Sequence, residues 1–129
     1  MAVVLIVEND EQVRVLAESI IQDTGHATLS AANVDEALAI LTDLEKRVDL
    51  LFTDIQLGQE QGGLELAHQA VESRPKLHVI YTTGRGVTDG MRALFIDDFI
   101  FLAKPYTVDG LTTVVTDLLG KAGERSSTK

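Results

Sequence analysis

The stretch LLFTDIQLG, residues 50–58, runs from a strand-like apolar segment directly into an acid, Asp54. Leu50 to Thr53 carries aliphatic, aromatic and β-branched side chains at consecutive positions. That is the pattern of a strand covered on both faces, as in a parallel sheet. A loop rich in Gly and Gln, from Ile55 to Gly62, follows the acid. In parallel α/β sheets ligands bind just beyond the carboxyl ends of strands, so Asp54 sits where chemistry is expected.

Working outward, the same alternation repeats. Ala2 to Val7 reads as a first strand buried on both faces. From Glu11 the period becomes helical, with Val13, Leu16, Ala17, Ile20 and Ile21 on one face and Gly25 as the stop. Ala27 to Ala31 is a second strand. Asn33 opens a helix with Glu36 as its capping-box partner, and Ala37, Leu38, Ile40, Leu41 and Leu44 form its apolar face. Beyond Asp54, Leu64, Ala67 and Val71 mark a helix ended by Pro75. Leu77 to Thr82 is a fourth strand, broken by Gly84-Arg85-Gly86, and a weakly patterned segment runs to Leu94. Phe99 to Leu102 is a fifth strand. Thr107 caps a last helix bearing Val108, Leu111, Val114, Val115, Leu118 and Leu119. Five strands alternating with five helices predict an α/β domain, doubly wound as a (βα)5 sandwich. Its five-stranded parallel sheet has right-handed crossovers and helices on both faces.

The size fits one domain: 129 residues, with residues 1–120 as the folded unit and a polar, disordered tail at 121–129. The net charge of −9 argues against direct nucleic-acid binding, which needs clustered Lys and Arg. No apolar run reaches the ~20 residues of a membrane helix. The N-terminus lacks a basic secretory start, and the absence of cysteine excludes disulfides and thiolate metal sites. A cytoplasmic protein with no membrane partner is the expectation.

The segments after the strands are Glu8-Asn9-Asp10, Asp54, Thr83-Gly84 and Lys104-Pro105. The expected topology brings them to one edge of the sheet. Clustered carboxylates repel, so a bound cation or the Lys104 ammonium must offset them. Oxygen ligands with open positions suit Mg²⁺.

Together the pieces VLIVEND, LLFTDIQLG, GGLELA, VIYTTG and FLAKP, in this order over about residues 2–119, resemble the receiver domains of two-component response regulators. The resemblance implies a flavodoxin-like sheet of strand order 2-1-3-4-5, an order known for a chemotaxis member of this family. It implies that Asp54 is a nucleophile taking a phosphoryl group from a phosphohistidine. Lys104, before a cis proline bond, would pair with Asp54 and then with the phosphoryl oxygens. Thr83 would be the switch hydroxyl; strand alternation and the alignment of TTG favour it over Thr82. Phe101 would be the aromatic that turns inward with it. Glu8, Asn9, Asp54 and the backbone carbonyl of Gln56 match the Mg²⁺ positions, with Asp10 as a further candidate. Asn9 stands where most relatives have Asp, which predicts weak metal binding because a carboxamide carries no charge. Gln56 and Arg85 flank the path of an attacking water and would tune dephosphorylation.

The implied partners are a sensor histidine kinase or histidine phosphotransfer protein and a downstream protein. With no output domain in the sequence, the expected activity is protein contact alone, in signal transduction or a phosphorelay. No turnover enzyme is expected beyond self-catalysed transfer to and hydrolysis from Asp54. A haloacid-dehalogenase-type phosphatase would need an acid two residues after its nucleophile, where Gln56 stands. A flavodoxin-like FMN carrier would have its phosphate repelled by Glu8 and Asp10. The remaining alternative is a phosphorylation-independent, receiver-like interaction module with a weakened metal site.

Overall fold

A computed structural model describes residues 2–57, 62–84, 95–96 and 99–119. The strands are β1 (Val3–Val7), β2 (Ala27–Ala31), β3 (Leu50–Asp54), β4 (His78–Thr83) and β5 (Ile100–Ala103). The described helices are α1 (Glu11–Asp23), α2 (Val34–Leu41), α3 (Gly62–Ser73) and α4 (Val108–Leu119). The five strands form one sheet in the order β2-β1-β3-β4-β5. Every neighbouring pair is parallel. The expected helix between β4 and β5, Arg85 within that span, and the tail after Leu119 lie outside the described residues.

Period-two alternation sorts the side chains into two cores. Val4 and Ile6 of β1, Leu50 and Phe52 of β3, and Ile80 of β4 pack with Ala17, Ile20 and Ile21 of α1 and Leu111, Val115 and Leu119 of α4. Leu5, Val7, Leu51, Val79 and Tyr81 point the other way, against Ala37 and Leu41 of α2 and Leu64, Ala67 and Ala70 of α3. Both faces of β1, β3 and β4 are thereby covered, as their unbroken apolar runs require.

The local signals hold at several element ends. Asn33 Oδ1 accepts from Glu36 N at 2.8 Å, while Glu36 Oε1 accepts from Ala32 N at 2.8 Å, one residue earlier than in the usual reciprocal box. Thr107 Oγ1 accepts from Gly110 N at 2.8 Å and so caps α4. Gly25, just beyond α1, has φ of 93°, a conformation that glycine adopts without a Cβ clash.

Three apolar residues expected on buried faces are exposed. Leu16 of α1, Leu44 beyond α2, and Val108 of α4 are more than half accessible. Leu44 fails because α2 stops at Leu41, where Thr42 is the cap, so the helical register does not reach it. Val108 sits in the first turn of α4 and Leu16 on the edge of the α1 stripe, where neither faces the sheet. Thr83, expected just beyond the fourth strand, is its last residue.

Candidate functional site

The alternation that builds the core also builds the site. Glu8 continues the row of Val4 and Ile6, and Asp54 continues that of Leu50 and Phe52. Lys104 continues the row of Leu102, which packs against the same core. Three residues distant in sequence thus leave the carboxyl edge of the sheet on one side. There the Lys104 ammonium donates to Glu8 Oε1 at 2.6 Å and to Asp54 Oδ2 at 2.7 Å. Both acids are buried and Lys104 is largely so.

The remaining carboxylate oxygens are held by backbone. Gln56 N donates to Asp54 Oδ1 at 2.9 Å, and Asp10 N donates to Glu8 Oε2 at 3.0 Å. Charged acceptors on N–H donors are the stronger kind of hydrogen bond. Two carboxylates against one ammonium leave a net charge of about −1 in these three side chains. For Lys104, burial works against its charge, but the hydrogen bonds and charges of Asp54 and Glu8 outweigh it and hold its pKa above the usual lysine value.

An open cavity over this edge is lined by Glu8, Asn9, Asp10, Val13, Asp54, Gln56, Thr83, Gly84 and Lys104. Among the described residues, every one singled out in the sequence for the site except Phe101 therefore borders one space. Asn9 is exposed at its mouth. The Asp10 carboxylate is engaged elsewhere, because its Oδ1 accepts from Gln12 N at 2.9 Å and Val13 N at 3.2 Å as the N-cap of α1. Thr83 lines the cavity, whereas Thr82, opposite Asp54 in the sheet register, is buried with its hydroxyl unpartnered among the described residues. Phe101 is half-buried and lies nearly parallel to Phe95, with ring centroids 6.5 Å apart. The Lys104–Pro105 peptide is cis.

The donor set fits a hard cation in kind: carboxylate, carboxamide and carbonyl oxygens with no sulfur or imidazole. Its charge is low. Among the described residues no three His, Cys, Asp or Glu side chains converge as a metal cluster, because Asn9 is neutral and Asp10 is turned to its cap.

Two neighbours were not singled out in the sequence. Arg14 donates from Nη1 to the Glu8 carbonyl at 2.8 Å, pinning the end of β1 from α1. Tyr106 packs edge-on against Phe52, and burial pushes its hydroxyl pKa up, a shift opposed by Lys104 and reinforced by Glu8 and Asp54.

The response regulator receiver domain family matches residues 4–116. The chain belongs to this family. As a receiver domain it is 31% identical over 121 residues to the sensor kinase CckA of Brucella abortus (strain 2308), covering 93% of this chain and 13% of that protein. It is 29% identical over 113 residues to the nitrogen assimilation regulatory protein NtrX of Azorhizobium caulinodans, covering 86% of this chain and 24% of that one. The receiver thus spans about an eighth to a quarter of these relatives. Among solved structures, a response regulator receiver protein from Sinorhizobium medicae WSM419 superposes with a TM-score of 0.82 at 25% identity, covering 91% of this chain and 93% of that one. The response regulator protein TrrA from Thermotoga maritima, in complex with Mg²⁺ and BeF, gives a TM-score of 0.75 at 25% identity, covering 92% of this chain and 100% of that one. The fold is the flavodoxin-like receiver fold, and no helix among the described residues is long and apolar enough to cross a membrane.

Proposed function

We propose that this receiver accepts a phosphoryl group on Asp54 from a histidine kinase or histidine phosphotransfer protein and signals by altered protein contacts. The carrying observation is the Lys104 ammonium bridging Glu8 and Asp54 at the floor of an open cavity. In the transfer, an Asp54 carboxylate oxygen attacks phosphorus as the donor's N–P bond breaks. The product is an acyl phosphate, and the released imidazole nitrogen takes a proton.

Each nearby group has a part in that step. The Gln56 N–H fixes the carboxylate's rotation through Oδ1. Lys104 is within reach of the arriving phosphoryl oxygens without leaving Glu8. The Thr83 hydroxyl, on the cavity wall, would donate to a phosphoryl oxygen. Its engagement favours an inward Phe101 and reshapes the surface around β5 and α4, a population shift set by the phosphoryl group's differential contacts. Asp54, Asn9, the Gln56 carbonyl and Glu8 would hold Mg²⁺, which when bound supplies neutralisation of charge on the phosphoryl oxygens. Gln56 and Arg85 are proposed to screen the acyl phosphate from water. A cytoplasmic site of action is part of this reading.

The test is intact-mass spectrometry after incubation with phosphoramidate or acetyl phosphate, with Mg²⁺ or with chelator. A gain of one phosphoryl group is expected with Mg²⁺, and its absence in Asp54→Ala. A gain that survives the substitution, or is indifferent to chelator, refutes the assignment.

A further inference from the structure

Helix α3 begins Gly62-Gly63, two residues that give up more backbone freedom on folding than alanine would. The two glycines differ in what surrounds them. A Cβ on Gly62 would come 2.8 Å from Val34 Cγ2, the end of a side chain. A Cβ on Gly63 would overlap the Asp54 carbonyl oxygen and lie 2.9 Å from both the Asp54 carbonyl carbon and Ile55 Cα. Only at Gly63 is the obstacle backbone, and it is the backbone of the phosphoacceptor.

Both polar groups of that peptide are held, and the next carbonyl is tied to α3. The Thr53 hydroxyl donates to the Asp54 carbonyl at 3.0 Å, and Ile55 N donates to Thr82 O of β4 at 2.8 Å. Gly63 N donates to Ile55 O at 3.1 Å, closing the loop that leaves Asp54. We propose that Gly63 is a positioning residue for Asp54. Its bare Cα lets α3 dock directly on the Asp54–Ile55 peptide, and that docking sets the carboxylate's place relative to Lys104 and the Gln56 N–H. The proposal rests on the reading of Asp54 as phosphoacceptor. An added methyl must push α3 and this peptide apart, and a misplacement of ~1 Å at a reacting group can cost about a hundredfold in rate.

The experiment compares Gly63→Ala with Gly62→Ala in the full chain. Two things are measured: the Asp54 carboxyl ¹³C and Lys104 ¹⁵Nζ shifts without metal, and the initial rate of Asp54 phosphorylation by phosphoramidate with Mg²⁺. Expected for Gly63→Ala are displaced shifts at both residues and a rate lower by about tenfold or more. Gly62→Ala keeps both as in the wild type. A Gly63→Ala protein with wild-type shifts and rate overturns the proposal, as does a Gly62→Ala protein that loses as much. If the wild type takes no phosphoryl group, the functional reading falls while the NMR shifts still decide the role of Gly63. If Gly63→Ala does not fold, amide exchange at Gly63 in Asp54→Asn decides instead. Coupling is reciprocal, so exchange there must change relative to the wild type, and an unchanged rate overturns the proposal.

Discussion

Lys104 reaches across 96 positions of sequence to set its ammonium 2.6 Å from Glu8 Oε1, no farther than it stands from Asp54. The lysine therefore serves two acids, and the site's stability depends on which partner is removed. Lys104→Met leaves two buried carboxylates facing each other. Asp54→Asn leaves one acid and one ammonium, a neutral pair.

The first expectation follows from that asymmetry. Lys104→Met should cost about 1–3 kcal/mol at neutral pH, below the ~3–5 kcal/mol of a fully enclosed pair because the site opens to solvent. Asp54→Asn should cost less, or stabilise. Urea unfolding of the two variants measures it, and a larger loss in Asp54→Asn would contradict the charge argument. The pH dependence has a definite sign. The folded pKa of Lys104 lies above its ordinary 10.5, so the pairing contributes fully below that value and is lost as pH rises through the higher folded one. From neutral pH upward, the gap between wild type and Lys104→Met should stay level to about pH 10 and narrow above it.

Asn9 offers a second test. Asn9→Asp adds a unit of negative charge at the mouth of the cavity. Mg²⁺ affinity should rise about tenfold, equivalent to ~1.4 kcal/mol, while the metal-free protein becomes less stable because a further acid joins Glu8 and Asp54. Calorimetric titration and melting in chelator read the two halves separately. Equal affinities would show that Asn9 does not limit the metal.

Asp10 separates structure from chemistry. Its carboxylate caps α1, so Asp10→Ala should lose about 1 kcal/mol of stability, with Asp10→Ser recovering much of it. Mg²⁺ affinity in Asp10→Ser should stay close to that of the wild type, as read by calorimetric titration. A collapse of affinity in that variant would make Asp10 a ligand after all.

Thr82 and Thr83 sit side by side with opposite prospects. The Thr82 hydroxyl is buried without a partner among the described residues, so Thr82→Val removes a desolvated polar group at nearly constant shape. It should be neutral or stabilising by up to about 1 kcal/mol, with phosphoryl uptake unchanged. Thr83→Ala should instead uncouple uptake from the amide-shift changes near Phe101. The reverse pattern would make Thr82 the switch hydroxyl.

Much of this was legible in the residues. Unbroken apolar runs marked β1 and β3, and Asn33 and Thr107 announced their helices through capping chemistry. Glu8, Asp54, Thr83 and Lys104 could be proposed because strand ends of a parallel sheet converge. Leu44 and Val108 misled because apolarity continues past the point where a helix stops or faces the sheet. Arg14 was hidden because its partner is a backbone carbonyl, which has no sequence signature. The cap on Asp10 was open to view as an acid before a helical pattern, yet its neighbours' carboxylates made it resemble a ligand.

The row that carries Glu8, Asp54 and Lys104 to one side of the sheet edge works as a length gauge. Because side chains alternate, deleting one residue within β5 would turn Lys104 toward the α2–α3 side, and the same slip in β1 would turn Glu8 away. Loops between the elements can lengthen or shorten without touching that geometry. Drift in this chain should therefore gather insertions and deletions between strands, while the number of residues in β1, β3 and β5 is held as firmly as the identity of the charges at their ends.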